Sequence, residues 1–327
     1  MLRLFKRTKK IFLLKQQQLI IWDLLVQVKA GVPWLLHLYQ SWNDCVDRLI
    51  LRSFAKVNIG LKILKRRPDG YHNIHTIFQE VDFHDNIYLA LQDDGCSLAV
   101  DKSGIPKDET NSCVIAYKMI KNHFPEIGGI SIRMEKMIPH GSGLGGGSSN
   151  AATVLKGLNK MYNLGMENKI LETISAEIGA DVPFFIRGGT QVGDGIGNEL
   201  GPAELVNGTY LLIIPDILIN TKWAYGKIKN HLNCSDQRPN FASFLKEGNL
   251  SFKFIQNDFE KIVIPAYPEI GRIKDRLSDM GATFTSLSGS GSTVFGIFDE
   301  EADAKSAKSC LQSQYQTVLT LPTNHGI

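Results

Sequence analysis

From Ser53 the chain alternates: Val57, Ile59, Leu61 and Ile63 are apolar and Lys56, Asn58, Gly60 and Lys62 fall between them, a period of two that predicts a half-buried strand. On that reading Lys56 and Asn58 share one face, turned away from the core. Pro68-Asp69-Gly70 then supplies a turn before the next extended stretch. Further strands are expected around 86–91 and 130–134, with a helix over 111–123 between them. Ala151, Val154, Leu155, Leu158 and Met161 recur at helical spacing, so a helix begins near Ser148, and a second covers 166–178. The wholly apolar run 210–214, ended by Pro215, reads as a buried strand that opens a second unit. Helices over 221–231 and 267–280, strands over 284–288 and 294–298 around a glycine turn, and a helix over 301–314 complete the pattern. Strands and helices mix without a regular βα repeat, which predicts the α+β class, and the boundary between units falls near Asn207-Gly208.

A length of 327 residues suits two domains of ordinary size, and 43% hydrophobic with 21% charged residues is the composition of a globular protein. Five cysteines lie far apart with no C-x-x-C pair, so neither a zinc site nor a disulfide framework is suggested, and a reducing cytoplasm fits best. No apolar run reaches the 18 or so residues that a bilayer span needs.

The net charge of +3 is unevenly placed. Residues 1–50 hold eight Lys/Arg against three Asp/Glu, giving +5, while 51–327 hold 28 against 30, giving −2. Trp22, Trp34 and Trp42, three of the four tryptophans, also lie in the first segment. Lys15 and Gln16, Gln17 and Gln18 break the apolar centre a signal peptide requires, and a single serine, Ser41, argues against a transit peptide. Two readings remain: an amphipathic helix on a membrane surface, or upstream sequence read through from an early start, with the native start near Leu49. The composition break and the strand that follows it favour the second; an intact mass retaining Met1 would contradict it.

The most informative stretch is Pro139, His140, Gly141, Ser142, Gly143, Leu144, Gly145, Gly146, Gly147, Ser148 and Ser149, directly before the helical pattern. Five glycines in seven positions carry an entropic cost that a plain connector has little reason to incur. Without side chains, backbone N–H groups approach an anion closely, and the following helix adds unpaired donors and its dipole. Phosphate binding is the natural reading, against a merely flexible loop. Walker A is excluded because no Gly-Lys-Ser/Thr occurs, and the G-x-G-x-x-G match at Gly141, Gly143 and Gly146 is weak outside a βαβ unit. Asp181, between small and apolar residues in Gly179-Ala180-Asp181-Val182-Pro183, is expected on a strained turn in a partly buried site; the alternative is a capping aspartate. Ser288-Gly289-Ser290-Gly291-Ser292 reads either as a hairpin turn or as a loop closing over phosphates.

In this order, Ser53 to Asn58, Asp69-Gly70-Tyr71-His72, the loop 139–149 with Asn150-Ala151-Ala152, Gly179 to Pro183, and Leu287 to Gly291 resemble the GHMP kinase superfamily and, within it, the 4-diphosphocytidyl-2-C-methyl-D-erythritol kinases. The resemblance covers about 51–320. It implies a two-domain fold over 51–207 and 208–327, ribosomal protein S5 domain 2-like and then ferredoxin-like, with residues 1–50 outside it. It also implies ATP as phosphoryl donor, Mg²⁺ accompanying it, and a cytidine-diphosphate-linked small molecule as acceptor. By the same resemblance Asp181 matches the catalytic base, Lys56 the catalytic lysine, and 139–149 the ATP loop. Asn58, Tyr71, His72, Phe78, Thr221, Tyr225, Gly289, Ser290 and Gly291 match the substrate side, with Tyr71 and Tyr225 sandwiching the base and His72 reading its edge. His140 and Ser142 depart from the usual loop pattern, and no acidic cluster marks a metal ligand. The −2 charge of the body leaves little to bind nucleic acid. Another GHMP kinase and a non-catalytic nucleotide binder are the rival readings, and the oligomeric state is not encoded legibly.

Overall fold

The computed structural model describes residues 47–228, 252 and 255–323. The readings for residues 1–46 and for the far end of the expected helix 221–231 lie outside the described residues. β1 (Arg48–Arg66) and β2 (His72–Gln92) form a long antiparallel hairpin. At its turn Asp69 Oδ1 accepts the Tyr71 N–H at 3.1 Å and Gly70 N donates to the Arg67 carbonyl. The sheet continues through β3 (Cys96–Val100), β4 (Gly129–Glu135), β5 (Thr190–Asp194) and β6 (Glu199–Pro202) in the order β3-β4-β2-β5-β6, with β1 also on β2. Four helices accompany it: α1 (Ser112–His123), α2 (Gly146–Met161), α3 (Asn168–Ser175) and α4 (Val182–Arg187). Asn111 caps α1 by accepting the Cys113 N–H, satisfying one of the donors a helix start leaves over.

The second sheet holds β7 (Thr209–Ile214), β8 (Phe284–Leu287), β9 (Val294–Phe298) and β10 (Gln316–Thr320), antiparallel in the order β10-β7-β9-β8. Helices α5 (Thr221–Ile228), α6 (Glu260–Ala266) and α7 (Pro268–Asp279) lie between β7 and β8 in sequence, and α8 (Glu301–Leu311) between β9 and β10. This βαββαβ succession with that strand order is ferredoxin-like. After Thr209, β7 is an unbroken hydrophobic run because both of its faces are covered, and every residue in it is buried.

Ile87, Leu89, Ile130 and Ile132 of the first sheet pack on Val154, Leu155 and Leu158 of α2, the helical spacing seen in the sequence. Leu211 and Ile213 pack on Ile270, Ile273 and Leu277 of α7. A third cluster spans both sheets: Ala55, Val57 and Ile59 meet Tyr210, Leu212 and Phe295. Each fully buried Val, Leu, Ile or Phe among these contributes roughly 1.5–3 kcal/mol.

β1 corrects one expectation. Lys56 and Asn58 do share a face, but that face is buried as well, at 3% and 1% exposure. The Lys56 amide donates to the Leu144 carbonyl, so the glycine-rich segment lies over that face. Period two alone cannot distinguish a polar face turned to water from one turned into a cleft.

Candidate active site

The glycine-rich segment folds back on β1 before α2 begins. Gly143 (φ +81°) and Gly145 (φ +73°) take left-handed conformations that favour glycine. Both also sit where a side chain would collide: a Cβ at Gly143 would stand 2.1 Å from the Ser288 carbonyl oxygen, and one at Gly145 2.8 Å from the Phe185 ring. Gly145 is the N-cap of α2, so the helix starts two residues before the expected Ser148, and the glycines form its first turn. The first N–H groups of a helix have no partner within it, and in α2 they stand at the cleft together with the positive end of a 16-residue dipole.

Beneath that turn lies a buried polar network. Lys136 Nζ is paired with Asp85 and donates to Asn150 Oδ1 at 2.9 Å. Asp85 Oδ1 accepts the amides of Met137 and Ile138 at 2.7 and 2.8 Å. Asn150 Nδ2 donates to Ser53 Oγ and Asp85 Oδ2, both at 2.8 Å, and Ser53 Oγ donates to Ser149 Oγ at 2.8 Å. Lys136, Asp85 and Asn150 are buried yet mutually satisfied, the condition for burying charge without a large penalty. A Cβ on Gly146 would come within 3.4 Å of Lys136 Nζ, which sets that ammonium under the start of α2.

At the centre Lys56 Nζ lies 3.4 Å from Asp181 Oδ2 and donates to Asn58 Oδ1 at 2.6 Å; Asn58 Nδ2 in turn donates to Thr76 Oγ1 at 2.9 Å. The lysine side chain is 4% exposed and the aspartate 31%, so the carboxylate opens to the cleft while the ammonium behind it is fixed by buried partners. Asp181 holds φ −86° and ψ −10°, an ordinary helical conformation, which corrects the expected strained turn. It occupies the N-cap of α4 but its side chain makes no capping hydrogen bond, so the capping alternative does not describe it either.

At the other end Tyr71 is 62% exposed on the rim. His72 is buried and stacks on Tyr225, ring centroids 5.5 Å apart at 18°, and Tyr225 meets Phe259 edge-on at 4.9 Å. Burial, with the Asp181 charge second, pushes the Tyr225 hydroxyl above the usual range. His72 and Tyr225 thus form a ring pair on the cleft wall, with Tyr71 lining the same cleft at its rim. Thr221 and Ser290 hydroxyls are 3.0 Å apart. Phe78 is 1% exposed, packs on Phe184 and holds Lys56 Nζ 5.5 Å from its ring centroid, so it is the floor of the site.

These groups line one cleft of about 1050 Å³. Of the residues singled out in the sequence, Leu144, Ser149 and Gly291 do not line it. Leu144 and Ser149 turn their side chains into the protein, and Ser142 Oγ donates to the Pro139 carbonyl at 2.8 Å. Sequence reasoning missed Arg66 and Lys222 on the wall, the segment Ile105 to Ser112, and the Asp85–Lys136–Asn150 network. Asn150 directly follows the glycine-rich loop, but nothing local ties it to Asp85, 65 positions away. Among the described residues, Lys56, Arg66, Lys136 and Lys222 face the cleft with Asp181 as its one carboxylate. That charge balance suits polyanionic ligands, and a hydroxyl brought to Asp181 would have a proton acceptor at hand.

Residues 111–189 match the model of the GHMP kinases N terminal domain and 238–317 that of the GHMP kinases C terminal domain. The chain is 38% identical over 278 residues to a 4-diphosphocytidyl-2-C-methyl-D-erythritol kinase of Chlorobium limicola, covering 83% of this chain and 96% of that one. It is similar to the crystal structure of a 4-(cytidine 5'-diphospho)-2C-methyl-D-erythritol kinase, with TM-score 0.73, 29% identity and coverage of 84% and 100%. A homoserine kinase from Cytophaga hutchinsonii shares the fold at TM-score 0.63 and 20% identity, covering 86% and 96%.

Proposed function

The chain belongs to the 4-diphosphocytidyl-2-C-methyl-D-erythritol kinase family of the GHMP kinases, and we propose that its cleft transfers the γ-phosphoryl group of ATP to the 2-hydroxyl of that cytidyl diphosphate substrate. The products are ADP and the 2-phosphate, a step of non-mevalonate isoprenoid precursor synthesis. The observation that carries the assignment is the Lys56–Asp181 pair, set in one cleft with the start of α2.

Phosphoryl transfer asks little covalent chemistry of a protein; alignment and charge stabilisation do most of the work. The N–H groups of Gly145 to Ser148 cradle the polyphosphate, with Lys136 adding charge from below. Asp181 accepts the proton of the attacking hydroxyl as the new oxygen–phosphorus bond forms and the bond to the ADP oxygen breaks. Lys56 orients that carboxylate through its attraction at 3.4 Å and offsets negative charge on the transferring group, and Asn58 keeps Lys56 in place. Mg²⁺ accompanying ATP as part of the donor substrate would offset phosphate charge, and the Asp181 carboxylate and Ser148 hydroxyl are oxygen groups on the cleft wall that would be able to hold it.

His72 and Tyr225 offer the cytosine a ring surface and an imidazole edge, with Tyr71 closing from the rim. Arg66 and Lys222 complement the diphosphate. We place the reaction in the cytoplasm, where ATP is available and free thiols such as those of Cys96, Cys113 and Cys310 persist.

A coupled ADP-release assay with the cytidyl diphosphate substrate, mevalonate and homoserine tests the reading. ADP release with the first alone is expected; turnover of mevalonate or homoserine in its place would reassign the acceptor.

A further inference from the structure

Outside the residues already assigned, the segment 256–260 makes an unusual set of buried bonds. Its backbone pairs with β1: the Leu61 amide donates to the Gln256 carbonyl at 2.9 Å and the Asp258 amide to the Leu61 carbonyl at 2.8 Å. Asp258 Oδ2 accepts the Ile63 amide at 3.0 Å, while Lys62 and Lys261 neutralise the carboxylate. Asn257, 1% exposed, donates through Nδ2 to the carbonyls of both Leu287 and Gly289, at 2.7 and 2.8 Å, and its Oδ1 accepts the Phe259 amide. Glu260 Oε1 accepts the Leu287 amide at 2.9 Å and the Ser286 hydroxyl. One short segment therefore grips β1 with one hand and the strand leading into Ser288 to Ser292 with the other.

The gripped loop bears directly on the chemistry. A Cβ on Gly289 would stand 3.5 Å from Lys56 Nζ and 3.5 Å from Asn58 Oδ1. Ser288 Oγ donates to the Gly143 carbonyl at 2.9 Å, and the Thr293 amide to the Ser142 carbonyl at 3.1 Å. The loop is thus held from two sides: the glycine-rich segment on one, Asn257 on the other. A shift of the loop would strip the Asn257 amide from both carbonyls, and for Leu287 the Ser286 hydroxyl at 3.4 Å is a weaker substitute, so the side chain fixes the loop's height above Lys56.

We propose that Asn257 is a positioning residue for phosphoryl transfer: by holding the carbonyls of Leu287 and Gly289 it seats the Gly289 backbone against Lys56 and so sets the alignment of the Lys56–Asp181 pair. This rests on the kinase reading for its kinetic consequence, but not for its structural one. Asn257→Asp replaces the donor with a carboxylate facing two carbonyls, and Asn257→Ser, which cannot span the gap, removes it without adding charge.

The test uses the full chain, with Ile273→Val in the α7 core as a packing control. Steady-state kinetics are read together with amide hydrogen exchange over 286–293. For both Asn257 variants kcat should fall about 10- to 100-fold, as an ångström-scale misplacement does, with KM for ATP within about threefold. Exchange in 288–293 should rise at least about tenfold. The control should lower the melting temperature while sparing kcat and that exchange. Wild-type kcat, or unchanged exchange over 288–293, in a folded Asn257 variant overturns the proposal. If the wild-type chain does not turn over the cytidyl diphosphate substrate, the kinase reading fails, and the exchange measurement alone decides whether Asn257 holds the loop.

Discussion

Gly143→Ala is a local change whose cost can be worked out from the structure. At φ +81° an alanine is forced into the left-handed region, a cost of about 1–2 kcal/mol. Its Cβ would sit 2.1 Å from the Ser288 carbonyl oxygen, against an ordinary contact of 3.4 Å or more, so the Ser288 loop has to retreat by about 1.3 Å. Overpacking of that kind adds about 1–3 kcal/mol, giving a total of about 2–5 kcal/mol. At roughly 2 °C per kcal/mol for a chain of this size, the melting temperature should drop by about 4–10 °C. The retreat also breaks the Ser288 to Gly143 hydrogen bond and carries Gly289 away from Lys56, so kcat should fall about 100-fold. Gly147→Ala is the contrast for stability: its Cβ meets only Ser112 Oγ at 4.0 Å and lies in the first turn of α2, where alanine stabilises by up to about 1 kcal/mol. Thermal denaturation and steady-state kinetics on both variants check this. A Gly143→Ala protein melting within about 1 °C of wild type with kcat within about threefold would refute the reasoning.

Asp181→Asn removes the proton acceptor but keeps the shape; kcat should fall about 100- to 10,000-fold while the ATP dissociation constant, read by calorimetry, stays within about threefold. Tyr71→Ala should raise KM for the cytidyl diphosphate substrate about 3- to 10-fold and leave KM for ATP unchanged, since the exposed ring contributes stacking alone; equal weakening of both would misassign the pocket. Burial pushes the Glu80 carboxyl up to about 7 from an ordinary 4.5, and the same desolvation lowers Lys156. Because the unfolded carboxyl ionises first, the contribution of Glu80 to stability is fullest below pH 4.5 and declines as pH rises toward 7, by up to about 3 kcal/mol. Urea midpoints across that window should show a much flatter slope for Glu80→Gln, and an identical slope would remove Glu80 as its source.

Much of the fold was legible because burial follows local periodicity. The apolar spacing at Val154, Leu155 and Leu158 placed α2, and the run ended by Pro215 placed β7, each within two residues. The extended stretch expected after Pro68-Asp69-Gly70 and the strand expected around 86–91 are one 21-residue strand, whose apolar pattern is broken by His72, His75, Gln79 and Glu80 on faces that are buried by long-range contacts. β5 and β6 escaped notice for a related reason: four- and five-residue strands interrupted by glycine carry too short a pattern to count. In the site, the glycine loop and Asp181 announced themselves by composition and neighbours. Asn257 did not, since its partners Leu287 and Gly289 lie 30 and 32 positions away and its own segment looks like an ordinary helix start.

Phosphorus-31 NMR of a reaction containing the wild-type chain, ATP and the cytidyl diphosphate substrate tests the central assignment most directly. One new phosphomonoester resonance on the 2-oxygen should grow in step with ADP, with the cytidyl diphosphate signals retained. Intact ATP and substrate, or inorganic phosphate released with no new ester, would contradict the transfer assigned to Lys56 and Asp181.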